Sequence, residues 1–410
     1  MTRQYFTVLA ILLLGTAAIA QTTTAPAGYG GSWTEWPKAT GDWGGVRTSL
    51  ADKGITLDFG ITQIVQENMA GGADTNGAIK YSGSANLELK LDTGKMGLWQ
   101  GGTFVFHGEP VWGRGVNRHV GSLMPVNFDA FMPGGNDSCE MALSEFYFQQ
   151  VLFEGKLILI AGKLWGARAF DTNMFANDEK RQFMNLALRN YPMIGAFLPY
   201  TTLGAAAIVN PTDWLSILTA VADTDGQAVR TGFDTAFHGE TNTSIIHEYD
   251  FTWKPFGQLG HQRIGMVTSC KDMPKYSGGA QDCNLAVFYN FDQYLWTESE
   301  DSNQGIGVFG RFGWADKHVN PIEYFYSLGV SGKGVIPTRD RDTCGIGWYF
   351  GNASNSLPAP VSQESGIEMY YSIEVLPWLH ISPDFQIICD PGGGNQDTAL
   401  VGGVRLQMDL

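Results

Sequence analysis

The feature that most constrains this chain is a series of segments, many of them ten to thirteen residues long, in which apolar and polar side chains alternate. In SGIEMYYSIEVLPW, Ile367, Met369, Tyr371, Ile373 and Val375 fall on one face of a strand, and Glu368, Tyr370, Ser372 and Glu374 on the other. IIHEYDFTWK sets Tyr249, Phe251 and Trp253 against Glu248, Asp250, Thr252 and Lys254. PIEYFYSLGVSG sets Ile322, Tyr324, Tyr326, Leu328 and Val330 against Glu323, Ser327 and Gly329. A two-sheet sandwich also alternates, so the pattern alone does not choose the solvent of the apolar face. Length and aromatics do: these segments exceed the usual five or six residues, and aromatic side chains crowd their ends, as in tilted strands that cross a bilayer. The 52 glycines, with only 16% charged residues, fit turn-rich β structure. A mean hydropathy of −0.10 fits a barrel whose polar inner wall offsets an apolar outer one.

Candidate strands cover 55–66, 82–91, 102–109, 142–152, 157–163, 203–209, 214–222, 245–255, 263–270, 284–296, 305–314, 322–331, 343–350, 365–375, 379–389 and 398–410. Short links such as FEGK, NPTD and Pro377-Trp378 alternate with long ones at 110–141, 164–202 and 223–244, although 332–342 is a long turn and 315–321 a short loop. This is the rhythm of an antiparallel transmembrane β-barrel. LILIAG and GAAAIV are apolar on both faces, so a buried core strand stays open for them. The last segment puts Leu400, Gly402, Val404, Leu406, Met408 and Leu410 in one row and Gly403, Arg405, Gln407 and Asp409 in the other, with Val401 the exception. It reads as the strand that closes the sheet.

Residues 1–20, MTRQYFTVLAILLLGTAAIA, carry Arg3, an apolar centre and Ala18-Ile19-Ala20, which predicts a cleaved secretory signal peptide. Residues 21–54 follow as an N-terminal periplasmic segment, and 55–410 as one barrel domain, since no linker or change of composition divides them. No later apolar run is long enough for a spanning helix. The formal charge of −15 argues against nucleic acid as a partner. Cys270 and Cys283 flank KDMPKYSGGAQD, a turn-rich loop, and are expected to form a disulfide, while Cys139, Cys344 and Cys389 have no metal-ligand spacing.

Several stretches resemble the carbohydrate-selective porins of the OprB family: GDWGGVRTSLADKGITLDFGIT, GGTFVFHGEPVWGRGVNRHVGSLMPVN, AGKLWGARAFDTNMFANDEKRQFMN and PWLHISPDFQIICDPGGGNQDTALVGGVRLQMDL. They span nearly all of the chain after the leader, in the family's order. The first contains a short helix capped by Asp42, with Val46 and Leu50 on one face, stopped by Gly54. The resemblance implies an all-β fold, a 16-stranded antiparallel transmembrane barrel with a short N-terminal helix and in-folded extracellular loops. It implies passive diffusion of mono- or small oligosaccharides across the bacterial outer membrane. Carbohydrate, outer-membrane lipid and the barrel-assembly machinery are the implied partners, with no cofactor and with room for an oligomer.

A sugar passing through needs many weak polar contacts and flat apolar surface. The two longest outer loops have that content: Trp112, Arg114, Arg118 and His119 in one, Trp165, Arg168, Asp171, Glu179 and Arg181 in the other. Both loops are expected to fold inward, with Arg114 and Arg168 donating forked hydrogen bonds and a Trp stacking on the sugar ring. Glu88, Lys90, Arg263, Arg311 and Arg405 face the water side and form a charge ladder along the wall. ANDEKRQFMNLALRN predicts a short helix, with Phe183, Leu186, Ala187 and Asn190 at helical spacing. A general diffusion pore is the nearest alternative. An outer-membrane or periplasmic carbohydrate-active enzyme would use paired carboxylates, but the chain has no Gly-x-Ser-x-Gly elbow, His-Glu-x-x-His helix or Walker loop, so catalysis is not expected. A secreted lectin-like sandwich would bury the apolar rows. ADTDGQAV begins like a calcium loop but has Ala228 at the sharp turn and reads as a surface turn.

Overall fold

The computed structural model describes residues 29–135, 139–230, 242–299, 304–358, 361–394 and 396–410; the signal peptide expected over 1–20 lies outside them. Sixteen strands close into one antiparallel barrel. In chain order they are β1 (Ile55–Ala70), β2 (Ile79–Asp92), β3 (Gly102–Gly113), β4 (Glu140–Leu152), β5 (Leu157–Leu164), β6 (Thr202–Thr212), β7 (Leu215–Asp223) and β8 (Thr243–Trp253). They continue as β9 (Gly260–Ser269), β10 (Asn284–Thr297), β11 (Gly305–Ala315), β12 (Ile322–Lys333), β13 (Thr343–Ala353), β14 (Gln363–Leu376), β15 (Leu379–Cys389) and β16 (Ala399–Asp409). Each strand pairs with its chain neighbours, and β16 pairs back onto β1 from Asp409 opposite Gly60 to Leu400 opposite Ala70. The ambiguous LILIAG and GAAAIV are wall strands, in β5 and β6.

Closure gives every strand an inner and an outer row. Val65, Ile264, Leu328, Ile346 and Met369 stand exposed on the outer row, an apolar band that a soluble monomer would bury. Trp99, Trp214, Trp253 and Trp296 ring the short-turn end of this surface, and Tyr81, Trp112, Trp314 and Tyr324 the long-loop end, as interfacial girdles do. No helix among the described residues is long and apolar enough to cross a membrane; the crossing elements here are strands.

The inside is largely filled. Val116, Val120, Met124, Phe170, Phe183 and Leu188 of the long loops pack in one buried cluster with inner-row side chains such as Phe309, Phe325, Tyr349 and Val401. This explains why Val401 breaks the polar row of β16: it meets other apolar side chains, not water. Glycines on the inner rows of β11 and β13 are sockets for these loops. A Cβ at Gly313 would collide with the ring of Tyr191, one at Gly307 with Phe175, and one at Gly347 would stand 2.8 Å from Leu188 Cδ2.

At the short-turn end the N-terminal segment packs against the mouth. Its helix α1 (Val46–Asp52) follows Asp42, whose Oδ1 accepts from Thr48 N and Oγ1, both at 2.8 Å, and Gly54 ends the turn at φ +85°. The residue next to the helix is Gly45, so Asp42 braces the first turn from three positions further back. Ala39 N donates to Asp409 O and Arg47 Nη2 to Leu410 O, tying this segment to β16 and the residue after it.

Two expectations need correction. Cys270 and Cys283 are free thiols, as are the other three cysteines. Their loop is instead closed by a two-residue ladder, Met273-Pro274 against Ala280-Gln281, and Cys270 N is drawn to Thr243 O on β8. The helix expected within ANDEKRQFMNLALRN is a single turn, Leu186–Arg189, capped by Asn185. Phe183 lies before it because Met184 N and Asn185 N are claimed by Glu368 of β14.

Gly313→Val is expected to force Tyr191 and its loop away from the wall, at a cost of about 1–3 kcal/mol in stability. Single-channel conductance should rise while the barrel still migrates as a heat-modifiable band; unchanged conductance with unchanged melting would contradict the socket.

Candidate functional site

Loop 165–201 crosses the barrel and leaves a narrow passage against β1–β3 and β16. Its anchor on the far wall is buried: Arg311 Nε of β11 pairs with Asp171 Oδ1 at 2.8 Å, both side chains fully buried. The same guanidinium donates to Ala176 O, Leu188 O and Arg189 O at 2.8, 3.2 and 3.0 Å. Asp171 also accepts from Asn290 Nδ2 at 2.7 Å and Tyr191 N at 2.6 Å, and takes a left-handed φ of +54° that Asp tolerates better than most residues. Arg405 of β16 donates to Glu179 O and Gln182 O at 2.5 and 2.9 Å. Arg263 is tied to Asp250 and Asp292 within the wall. Three members of the expected ladder are therefore structural, and Asp171 and Arg311 are inaccessible to anything in the passage.

At the near end of the loop, Arg168 reaches across to the opposite wall. Its Nη1 lies 2.9 Å from Glu88 Oε2 of β2 and its Nε 2.7 Å from Glu145 Oε2 of β4, while Nη2 stands 3.4 Å from His107 Nδ1 of β3. His107 Nε2 contacts Asn86 Oδ1 at 2.8 Å, and Lys90 Nζ holds the other Glu88 oxygen at 2.5 Å. Glu145 points inward in one row with Tyr147 and Gln149, and the β3–β4 register slips only beyond it, between His107 and Gly108. Above this layer, the Trp165 ring has the Arg189 guanidinium carbon 4.5 Å from its centroid and that of Arg168 at 5.7 Å. Trp165 therefore braces two arginines; it does not offer a bare face. Tyr200 Oη donates to Glu109 Oε2 at 3.0 Å, completing the rim.

Two connected cavities mark the passage, of about 460 and 290 Å³. Asn86, His107, Arg168, Asp178 and Lys180 line both. Glu109, Trp165 and Glu179 add to the first, and Lys38, Asp58, Glu88, Arg181 and Asp409 to the second. Cations and carboxylates are interleaved, so a neutral polyol meets donors and acceptors at every step. Burial alone would raise the carboxyl of Glu179, but Arg189 and Lys180 beside it hold it down at about 2. Burial lifts the Asp129 carboxyl to about 6, opposed by Lys180; Asp129 sits on the single turn Phe128–Phe131 and accepts from Ser84 Oγ at 2.8 Å.

The structure thus brings together Glu88, Lys90, Trp165 and Arg168 of the residues singled out by sequence. Trp112 is a correction: it points outward, its Nε1 donating to the exposed Tyr81 Oη at 3.0 Å. The strand runs on to Gly113, so Trp112 shares the row of Phe104 and Phe106. Arg114 and Arg118 are exposed on the outer loop and line neither cavity. His107, Glu109 and Glu145 were missed. All three had a signal: His107 and Glu109 fall opposite Phe104 and Phe106 in FVFHGE, and Glu145 falls opposite Phe146 and Phe148 in EFYF.

Comparison with known proteins comes from three directions. The family model described as "Carbohydrate-selective porin, OprB family" matches residues 75–410. "Porin B" of Pseudomonas aeruginosa is 23% identical over 97% of this chain and 95% of its own length. "Porin AaxA" of Chlamydia trachomatis is 26% identical over 69% of this chain, which spans 59% of that relative. The high-pH structure of Pseudomonas putida OprB superposes with a TM-score of 0.82 at 22% identity, covering 91% of this chain and 98% of that one, so the two share the fold.

Arg311→Met removes the charge that holds Asp171 in place and should cost about 3–5 kcal/mol. Trypsin is then expected to cut loop 165–201 in the folded barrel, and conductance to rise; continued protection would deny the clamp. The proton of Asp129 is held more tightly in the folded protein than at the ordinary value of 3.8. Its stabilisation is therefore full below that value and is lost as pH rises through about 6, by at most about 3 kcal/mol. Melting in detergent from pH 4 to 7, compared with Asp129→Asn, should show this slope in the parent and a flatter one in the variant.

Proposed function

The chain belongs to the OprB family of carbohydrate-selective porins, and on that premise we propose that it passes mono- or small oligosaccharides by passive, selective diffusion through the passage beside Arg168. It is an outer-membrane porin, a channel and not an enzyme. Residues 1–20 act as the export signal, 21–54 stay at the periplasmic mouth, and 55–410 are the barrel. Outer-membrane lipid covers the apolar band, and the barrel-assembly machinery inserts it.

The observation that carries the reading is the reach of Arg168 from the loop to Glu88, Glu145 and His107 on three successive strands. A sugar losing bulk water there finds carboxylates that accept from its hydroxyls and cations that donate to them. Because these groups already pair with one another, each contact to the sugar replaces one of similar strength. Binding then stays weak, as a conducting pore requires. The near balance of charge disfavours ions, which would have to break the pairs without matching their geometry.

Liposome swelling tests this directly. Rates should fall with sugar size yet exceed those of amino acids of similar size, and Arg168→Ala should change sugar flux several-fold and shift ion selectivity toward cations. Equal permeation by sugars and amino acids would favour a general diffusion pore, and indistinguishable Arg168→Ala behaviour would remove that residue from the passage.

A further inference from the structure

The passage is not the only space inside the barrel. Beside it, under loop 165–201, lies a chamber of about 350 Å³. Its wall is the inner row of β5–β8, where Ile160, Ala206, Ile208, Leu218, Ala220 and Ile246 replace the carboxylates and amides found elsewhere on inner rows. Phe170, Tyr191, Ile194 and Leu198 form its roof. Its acidic and amide lining is Glu145 and Gln149 of β4, on the side of Arg168, with Asn190 of the loop, and Trp165, Ala167 and Arg168 line both chamber and passage. The two spaces thus adjoin, one polar and one apolar, with Trp165, Ala167 and Arg168 between them.

An apolar recess inside an aqueous pore holds water with few partners, so an apolar group of matching size gains by replacing it. Hydrocarbon from the bilayer does not reach it, because these side chains point inward while Leu159, Val209 and Ile245 of the same strands face out. An occupant must arrive through the passage and so must also carry polar groups that satisfy the Arg168 cluster. Resting on the sugar-pore reading above, we infer that the chamber is a subsite for the apolar aglycone of a glycoside, whose sugar stays beside Arg168, Glu145 and His107 while an aryl group enters between Trp165 and the β5–β8 wall. A free sugar fills only the polar half. An aryl glycoside fills both and dwells longer.

The experiment compares methyl β-glucoside with phenyl β-glucoside in planar bilayers, reading dwell time from current fluctuations, with phenol as a third probe. Phenyl glucoside should dwell about tenfold longer than methyl glucoside in the parent protein. Ala220→Phe, which fills the chamber from the wall, should abolish that difference and leave methyl glucoside unchanged. Ala222→Leu, a smaller filler on the same row, serves if the first variant does not assemble. Equal dwell times in the parent, or a phenyl preference that survives the filled chamber, would overturn the inference. Failure of the sugar-pore reading looks different: neither glucoside would enter, while phenol alone would still bind in the parent and lose its site in the filled variant.

Discussion

Everything in this molecule follows from one requirement, that no backbone N–H or C=O be left unpaired in hydrocarbon, where each would cost several kcal/mol. The pairing of β16 with β1, ten residues deep from Gly60 to Ala70, meets it by removing both edges of the sheet. Once the sheet is closed, strand alternation has a fixed meaning: one row touches lipid and the other encloses the lumen. The terminal segment therefore carries an apolar row to its end, since the first and last strands share the same wall.

A closed wall of sixteen strands encloses more space than a selective pore can leave open. The chain narrows it with its own outer loops, and the difficulty becomes holding irregular backbone inside. Burying a charge without a partner is expensive, and breaking one partner of a buried pair more so. Arg311 turns that cost into specificity, because a single guanidinium satisfies Asp171 and three loop carbonyls that no alternative loop path would present together. Arg405 does the same for the stretch around Glu179 and Gln182. Polar residues on the inner row thus divide by depth of contact. Those that meet loop backbone fix the aperture, while those that meet side-chain charge at the near wall, Glu88 and Lys90 with Arg168, remain in contact with water.

The wall was legible because its signal is local and repeated. Two-residue alternation located most of the strands, LILIAG and GAAAIV being apolar on both faces, and the family motifs placed them in order. The interior was legible only in part. Arg168 and Trp165 sit where the loop leaves β5, close to a strand whose position was already known. Trp112 was misplaced because β3 runs further than its polar ending suggests, and one more turn of the pleat decides whether a side chain faces lipid or lumen. Asp171 and Arg311 are far apart in sequence, and nothing in either neighbourhood says that they meet. The cysteine pair failed for a related reason: flanking a turn-rich loop does not fix the direction of the two sulfurs when one backbone is drawn toward β8.

Small residues on the inner rows show how far one-dimensional pattern can go and where it stops. On β11 and β13 they are glycines, and the loop fills each gap with a ring or a leucine, so that wall becomes a mould for the plug. On β6 and β7 they are alanines, and they border the chamber roofed by Phe170, Tyr191, Ile194 and Leu198. Loop 165–201 is held against β11 by the Asp171–Arg311 pair, and the chamber lies on its other side, against β5–β8. The loop thus has a clamp on one wall and a recess on the other, and the polar passage runs beside Trp165 and Arg168, which border the recess as well.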